Sequence, residues 1–314
     1  FIESFRQNKQ HKLCGACWKD PQIRTHFSSS PTAFNFTKDV MNGIAPTVSL
    51  KWLEIKPGNR CNLKCRICGV HGSSTWTKDE HKMSEKHIPY KESNAFKYTQ
   101  SCDWIEDKDF WNDIRGLESV EYLHFMGGEP FMVPEHFQLL ERLVEDPSID
   151  TSTIAIVYNT NGTYFPTEEN INLYNKFQRV HFALSIDDFG ERFNYQRKLA
   201  IWEEVKNNII NFKKLYYENE QFTSNLDTTV SVLNIFGLDE IYEEFVKLGY
   251  TIDDGHEHYV YTGPDAIWQL PSDVKRIILD KYKGNTTPWI TKAMKYMMSK
   301  EPEAGKWMFA DVHT

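Results

Sequence analysis

Three cysteines in one short polar stretch are the residues of this sequence with the most specific chemistry. Cys61, Cys65 and Cys68 fall within eight residues, just after an apolar run that ends at Ile55. Three thiolates at this spacing can bind three irons of a 4Fe-4S cubane if the backbone curls around it, which a short polar loop permits. The fourth iron then stays open for a small ligand that carries an amino and a carboxylate group. A zinc site is the alternative, and it would need a fourth ligand such as His71 or a distant cysteine.

A glycine-rich turn offers backbone groups to a ligand. Gly127, Gly128, Glu129 and Pro130 follow the apolar run 122–125. Glycines let the backbone approach a ligand closely and leave amide and carbonyl groups free to hydrogen-bond it. An ordinary turn with a solvated glutamate is the alternative interpretation.

Short polar side chains close two further apolar runs. Asn161 lies at the end of the third run, and Ser185 and Asp187 lie at the end of the fourth. The carboxyl ends of parallel barrel strands meet at one mouth, where such barrels place their chemistry. We therefore expect these side chains to lie near the cysteine loop.

The elements that must position these residues alternate between β and α from about residue 48. Such alternation implies a parallel sheet. The predicted strands are 50–55, 122–125, 153–158, 180–186, 227–233 and 258–261. The predicted helices are 137–145, 168–177, 202–217 and 238–248, where apolar residues recur every three or four positions. A further helix over 271–281 would have Ser272 as its N-cap.

The predicted fold is α/β, a partial (β/α)6 TIM-like barrel that is open on one side. Residues 48–255 are expected to form the barrel, with 71–110 as a polar insert. Residues 1–47 form an N-terminal extension with a C-x2-C pair, and 256–314 form a short C-terminal region. The chain does not begin with Met and ends without a polar tail, which is consistent with truncation.

Composition narrows the classes of partner. A chain of 314 residues with 40% hydrophobic content can bury a sizeable core. The net charge of -8 disfavours nucleic acid and anionic membranes as partners. No run of about 18 apolar residues occurs, and the N-terminal residues are polar and basic. These features predict a soluble cytoplasmic protein.

The cysteine loop, the glycine turn and the polar strand ends together resemble those of radical S-adenosylmethionine (radical SAM) enzymes over about residues 50–234. The resemblance implies a 4Fe-4S cluster on the three cysteines and S-adenosylmethionine as a second cofactor. It implies that the reduced cluster passes one electron to the sulfonium, so that a 5'-deoxyadenosyl radical forms and abstracts hydrogen from a substrate. It also implies an electron donor such as flavodoxin or ferredoxin.

The same resemblance assigns roles around the cofactor. The turn at 127–130 binds the methionyl amino group, and Ser185 and Asp187 hold the ribose and methionyl end, with Asn161 nearby. Arg197 matches an arginine that pairs with the cofactor carboxylate, for which a guanidinium offers a forked geometry. A surface arginine is the alternative. Asn234 is expected to reach the adenine or ribose, or else to form an Asn turn.

Two departures from the family pattern are visible. Ile67 stands where the family often has an aromatic residue, so packing over the cluster is expected to differ while ligation is not. The motifs are most similar to the subgroup with SPASM or twitch domains, yet no cysteine follows Cys102. An auxiliary cluster in the C-terminal region is therefore not expected.

The subgroup often modifies peptides or proteins, which makes a peptide or protein the expected substrate, with the insert and the N-terminal extension as its binding surface. A small-molecule substrate is the alternative. Polar aromatic residues that could lie near the barrel mouth, or that could pack in the core, are Tyr158, His181, His256, His258 and Tyr261. The catalytic residues on the substrate side stay unassigned.

Cys14 and Cys17 form a separate C-x2-C pair. Two such thiols can share a second metal or cluster, but they need two more ligands, for which Cys102 and a histidine such as His11 or His26 are available. A disulfide and unligated thiols are the other interpretations.

Two other functions compete with the radical enzyme. A noncatalytic metal-binding or interaction protein would use the cysteine loop structurally, and it predicts zinc or no cofactor and no binding of S-adenosylmethionine. A nucleic-acid-modifying enzyme of the same family is disfavoured by the acidic composition, and strong salt-sensitive RNA binding would favour it.

Overall fold

The computed structural model describes residues 50–86, 117–251, 255–260 and 264–298. Three predictions lie outside these residues: the N-terminal extension with Cys14 and Cys17, the role of Cys102, and the insert beyond residue 86. The roles predicted for these segments stay predictions.

A six-stranded parallel sheet organises the described chain. Its strands lie in the order β1-β3-β4-β5-β7-β8. They are β1 (Trp52–Ile55), β3 (Tyr122–Phe125), β4 (Ala155–Thr160), β5 (Arg179–Ser185), β7 (Phe222–Val230) and β8 (Gly255–Tyr259). Two short strands, β2 (Lys64–Cys65) and β6 (Arg197–Lys198), pair antiparallel outside this sheet. The six parallel strands confirm the predicted partial barrel.

Helices lie between successive strands of the sheet, and two more helices come after the last strand. They are α1 (Thr77–Lys86), α2 (Glu135–Glu145), α3 (Glu168–Tyr174), α4 (Gly190–Gln196), α5 (Trp202–Glu218), α6 (Leu238–Lys247), α7 (Ser272–Lys281) and α8 (Pro288–Met298). Within the described ranges, every helix is too short or too polar to cross a membrane.

The outer face of the sheet is apolar because it packs on the helices. Phe125, Tyr158 and Phe182 align on neighbouring strands, and their rings stack at centroid distances of 5.2 and 5.8 Å. Phe182 also meets Phe212 of α5 at 4.7 Å. Each of these rings is almost fully buried, and burying a ring of this size stabilises the fold by roughly 2 to 3 kcal/mol.

The inner face of the sheet is polar. One row across β1, β3, β4, β5 and β7 consists of Glu54, His124, Val157, His181 and Thr223. Because side chains alternate along a strand, this row faces away from the outer helices. The apolar outer face therefore forms the core with the helices, and the polar side chains that could bind a ligand lie on the inner face.

Several element bounds differ from the sequence prediction. β7 begins at Phe222 rather than at 227, because Thr223 and Asn225 hydrogen-bond His181 on the inner face instead of forming a loop. β4 begins later than 153, because Asp150 caps a short 3-10 turn over Thr151–Thr153. β8 crosses the predicted boundary after residue 255.

Three helices, α1, α4 and α8, were not predicted, and one predicted cap is wrong. α4 is short and has few apolar residues, and α8 begins with a proline, whose fixed φ suits a first helical turn. Ser272 does not cap α7: the helix begins at Ser272, and Pro271 occupies the N-cap position without a side-chain hydrogen bond. The capping preference for serine was overridden by the extended conformation of the proline before it.

Candidate active site

The three cysteines lie on one loop after β1 as free thiols. Cys61 is buried, and Cys65 and Cys68 are half-buried. The Leu63 amide donates to Cys61 Sγ at 3.4 Å, and Asn161 Nδ2 approaches the same sulfur at 3.8 Å. Donors of this kind stabilise a metal-bound thiolate and help to set the potential of an iron-sulfur cluster.

Burial governs the protonation of these thiols. Desolvation raises the pKa of Cys65 to about 12, and it also raises the pKa of Cys61 and of Cys68. Without a metal the thiols therefore hold their protons at neutral pH. Iron binding would displace those protons, as it does whenever a thiol becomes a metal ligand.

The first residues of the predicted insert hold the cysteine loop in place. The Ser73 and Thr75 hydroxyls both donate to the Leu63 carbonyl, at 2.5 and 2.6 Å. Trp76 Nε1 donates to the Cys65 carbonyl at 3.1 Å. Residues 73–76 thus belong to the site, which the sequence pattern did not indicate.

The glycine turn packs directly on the cysteine loop. The Gly128 amide donates to the Gly58 carbonyl at 2.9 Å, and the Glu129 amide donates to the Arg60 carbonyl at 2.7 Å. A Cβ at Gly128 would overlap the Arg60 carbonyl, and Gly127 has a φ of +107°. The prediction that these amides are free for a ligand is wrong for Gly128 and Glu129, because both bind the loop that carries Cys61.

Glu129 joins the turn to the end of β4. Its buried carboxylate accepts from Thr160 Oγ1 at 2.8 Å, from the Asn161 amide at 2.7 Å and from the Phe131 amide at 3.3 Å. Burial raises the pKa of Glu129 to about 7 in spite of these donors. Glu129 is therefore a buried residue that links the glycine turn to β4, not the solvated glutamate of an ordinary turn. Pro130, which follows it, is also buried.

Arg197 lies beside the cysteine loop and is only 7% exposed, which excludes the surface-arginine interpretation. The pairing of β2 with β6 sets Arg197 opposite Cys65. Arg197 Nη2 contacts Asp187 Oδ2 at 2.9 Å, while its buried Nε has no hydrogen-bond partner in the described part of the chain. A buried guanidinium N–H without a partner is costly, so it fits a site that an anionic ligand completes.

The other predicted residues surround this pair. Asp187 Oδ1 accepts from the Thr229 amide at 2.9 Å. The Asn161 side chain donates to Asn62 Oδ1 at 2.9 Å and so steadies the cysteine loop. Asn234 Nδ2 donates to the carbonyls of Asp187 and Thr229, both at 2.9 Å.

Asn234 does not directly follow a strand, as the predicted strand 227–233 implied, because β7 ends at Val230. The side-chain oxygen of Asn234 accepts from the Ser231 backbone amide at 2.8 Å, so the whole side-chain amide is hydrogen-bonded within the protein. Asn234 thus holds the ends of β5 and β7 together. A contact with adenine or ribose stays a prediction.

A cavity of about 240 Å³ opens on the inner face of the sheet. It is lined by Asn159, Ser185, Asp227, Thr229, His258 and Tyr259. Two polar chains lead into it. His124 Nε2 bonds Asn159 Oδ1 at 2.7 Å, and His181 Nε2 bonds Asn225 Oδ1 at 2.7 Å. Asn225 in turn donates to Asp227 at 2.5 Å.

Sequence reasoning named only part of this cavity. It named Ser185 and His258 of the lining, and His181 of a polar chain that leads to the cavity. It missed the other lining residues, which are Asn159, Asp227, Thr229 and Tyr259. Asp227 could have been found from the alternation of polar residues at 223, 225 and 227, because this is the pattern of a strand with one polar face. Tyr158 lies on the outer face, where it bonds His136 at 2.9 Å, so the core interpretation holds for it. The side chains of His256 and Tyr261 lie outside the described residues.

The donor set fits a cluster better than a single ion. Within the described ranges, no three His, Cys, Asp or Glu side chains form a preformed site for one metal ion. Zinc needs four ligands that converge on one centre, whereas each cysteine of a cubane binds a different iron, so the three thiols need not converge. Three free thiols with N–H donors and a neighbouring guanidinium suit a 4Fe-4S cluster with one open iron.

The comparisons with known proteins identify a family. The family model described as the radical SAM superfamily matches residues 55–248. No curated protein sequence matches the chain.

Solved structures also show similarity. One is native anSMEcpe with bound AdoMet, at 19% identity and a TM-score of 0.48, over 76% of this chain and 60% of that one. Another is Streptococcus suis SuiB bound to S-adenosylmethionine, at 17% identity and a TM-score of 0.41, over 83% of this chain and 50% of that one. TYW1 with a lysine-pyruvate adduct bound has 14% identity and a TM-score of 0.37, over 75% of this chain and 74% of that one. The chain thus spans about 60% of the first of these structures.

Proposed function

The chain belongs to the radical SAM superfamily, and on that premise we propose that it is an enzyme with a 4Fe-4S cluster on Cys61, Cys65 and Cys68. Enzymes of this superfamily use such a cluster together with S-adenosylmethionine. When bound, the cluster supplies the electron that cleaves S-adenosylmethionine to the radical that abstracts hydrogen from a substrate.

The position of Arg197 carries the proposal. Its buried guanidinium lies opposite Cys65, and among the described residues its Nε has no hydrogen-bond partner. Asp187 holds the other side of the same guanidinium. A carboxylate bound at this place would accept the Nε–H as a charge-assisted hydrogen bond, which is stronger than a neutral one. The methionyl carboxylate of S-adenosylmethionine has the required charge and size.

The remaining site residues would bind and orient rather than react. The turn at 127–130 would offer its remaining backbone groups to the methionyl amino group, while Glu129 keeps that turn fixed to β4. Ser185 would contact the ribose from the wall of the cavity. Asn161 and Asn234 would act mainly by holding the cysteine loop and the strand ends in register.

We also propose that the substrate, a peptide or protein, binds at the cavity on the inner face of the sheet. The lining offers hydrogen-bonding groups from Asn159, Asp227 and Thr229, which suit the amides of a peptide chain. Because the half-barrel is open on one side, a long peptide chain could enter the cavity from the side without passing through a closed barrel. Holding the substrate there would also keep water away from the radical.

The test is anaerobic reconstitution with iron and sulfide, followed by dithionite and S-adenosylmethionine and an assay of 5'-deoxyadenosine. The wild-type chain is expected to bind iron and release the product. Cys65→Ala is expected to lose both, because a cubane held by two cysteines is not retained. Cys102→Ala serves as the matched control and is expected to keep forming product.

Two outcomes would contradict the proposal. One is equal product from the wild-type chain and from Cys65→Ala. The other is stoichiometric zinc in place of iron after reconstitution, with no binding of S-adenosylmethionine, which would indicate a structural metal site.

A further inference from the structure

Three apolar side chains are exposed close to the cysteine loop. Tyr195 is 55% exposed, Leu199 is 60% exposed and Ile201 is 54% exposed. All three fall between residues 195 and 201, where α4 gives way to β6 and then to α5. Three exposed apolar side chains in so short a segment make it a candidate for contact with another molecule.

This segment is joined to the backbone that carries Cys65. β6 pairs with β2, and the Arg66 amide donates to the Gln196 carbonyl at 2.8 Å. Arg66 Nε donates to the Tyr195 carbonyl at 2.8 Å, and its guanidinium lies 3.8 Å from the centre of the Tyr195 ring. Tyr195 therefore lies against the cysteine loop, and Leu199 and Ile201 follow directly after β6, the strand that pairs with this loop.

Leu199 is held there in an unfavourable backbone conformation. Its φ is +80°, and among the described residues no other non-glycine residue has a positive φ. The turn is closed by the Ala200 amide, which donates to the Arg197 carbonyl at 2.9 Å. A glycine would adopt this conformation without strain. Strain of this kind concentrates at functional positions, so the leucine side chain is a candidate for function rather than for stability.

Several basic side chains lie near this segment, although the whole chain has a net charge of -8. Arg66, Lys198 and Lys82 are exposed. Lys64 pairs with Lys198 across the β2–β6 ladder.

Acidic groups also occur here. Asp79 pairs with Lys64, and Glu203 and Glu204 begin α5. We define the carrier surface as Arg66, Tyr195, Lys198, Leu199 and Ile201, which has two cations and no acidic residue.

We propose that the carrier surface docks a small acidic one-electron carrier protein that reduces the cluster. This inference rests on the proposed function. In the step, the carrier is oxidised by one electron and the cluster is reduced by one electron, and no bond forms between the two proteins. A compact apolar centre with a cationic rim suits such a partner, because redox complexes have small interfaces and opposite charges speed their encounter.

The test compares two reductants. Initial rates of 5'-deoxyadenosine formation are measured with a reduced acidic flavodoxin and, separately, with dithionite. Lys198→Glu reverses a rim charge, and Leu199→Gly removes the apolar side chain while relieving the backbone strain. With flavodoxin at low ionic strength we expect both variants to be slower by about 10-fold, and salt to slow the wild type as well. With dithionite we expect less than about a 2-fold change.

The control variants change comparable exposed side chains that lie on outer helices. Lys214→Glu on α5 and Ile277→Ala on α7 alter an exposed lysine and an exposed isoleucine. Both are expected to keep the wild-type rate with either reductant. A second measurement needs no cluster: oxidised flavodoxin is titrated into the iron-free chain, and Lys198→Glu is expected to weaken binding by a similar factor.

Three results would overturn the inference while leaving the proposed function intact. The first is that flavodoxin fails to reduce a wild-type cluster that dithionite reduces. The second is that the two variants behave like their controls with flavodoxin. The third is that they change a dimer into a monomer, which would make the surface a contact between copies of this chain. Absence of product even with dithionite would contradict the proposed function instead.

Discussion

Arg197 and Asp187 show how one buried ion pair can serve both stability and binding. The Arg197 side chain is 9% exposed and the Asp187 side chain 2% exposed, so each charge depends on the other. Removing one partner from such a pair leaves an uncompensated buried charge. Both residues were named from the sequence, but their contact was not, because they are ten positions apart and meet only through the turn of α4.

Arg197→Met is expected to lower the free energy of unfolding by about 3 kcal/mol, because the Asp187 carboxylate stays buried without its cation. Urea unfolding of the iron-free chain measures this. Asp187→Asn combined with Arg197→Met is expected to cost less than the sum of the two single changes. Additive losses would show that the two side chains do not interact.

His136 gives the fold a dependence on pH. Its ring is fully buried, its Nδ1–H donates to the Val133 carbonyl, and its Nε2 accepts from the Tyr158 hydroxyl at 2.9 Å. Burial lowers the pKa of His136 to about 4. The unfolded chain takes up this proton below about 6.5, whereas the folded chain does not until about pH 4.

The contribution of His136 is therefore complete above about pH 6.5 and is lost as the pH falls toward 4, by about 3 kcal/mol in total. His136→Gln is expected to remove this part of the pH dependence of the unfolding free energy. The measurement is the difference in unfolding free energy between wild type and variant across this pH range. Parallel curves for the two proteins would rule out a buried neutral histidine.

At the scale of elements, the site depends on a close contact between two loops. The glycine turn after β3 hydrogen-bonds the loop after β1, and the β2–β6 pair clamps the far side of that loop. The turn was predicted from its residues, since two consecutive glycines permit close backbone approach. The β2–β6 pair was not predicted, because two residues form too short a strand to leave a pattern.

Gly128→Ala is expected to displace the cysteine loop, because the new Cβ would lie 2.7 Å from the backbone carbons of Asn59 and Arg60. We expect most of the reconstituted iron to be lost and the chain to be destabilised by about 2 kcal/mol, as for other overpacked sites. Iron analysis and urea unfolding measure the two effects.

Gly284→Ala is the matched control, since Gly284 has a φ of +79° and open space around its Cβ position. It is expected to cost about 1 kcal/mol through backbone strain and to leave the iron content unchanged. If both variants kept full iron, close packing at Gly128 would not position the cysteine loop.

At the scale of the whole molecule, the candidate site draws on most of the sheet. The cysteine loop follows β1, the glycine turn follows β3, and the ends of β4, β5 and β7 supply Asn161, Asp187 and its partner Thr229. Ligands that bind only this assembled arrangement stabilise the folded state as a whole.

S-adenosylmethionine at about 100 times its dissociation constant should add about 2.7 kcal/mol of stability, which corresponds to a rise in Tm of roughly 4 °C. The rise is expected in the iron-loaded chain and is expected to be much smaller after iron is removed, because under the proposed function the open iron would be one of the ligand's contacts. Anaerobic thermal unfolding with and without iron measures it. Equal shifts in the two forms would show that the cluster does not take part in binding.

The amino-acid sequence alone determined the fold class and the cysteine triad, because alternating periodicity and thiol spacing are local properties of the chain. It determined most strands and helices to within a few residues for the same reason. It misplaced the start of β7, since polar residues at 223–225 look like a loop until His181 and Asn225 meet across the sheet. The pairing of Arg197 with Asp187, the polar inner cavity and the role of residues 73–76 were decided only by the tertiary structure. Each of these depends on residues that are distant in the chain and become neighbours only when the parallel strands align, and local sequence patterns contain no information about such contacts.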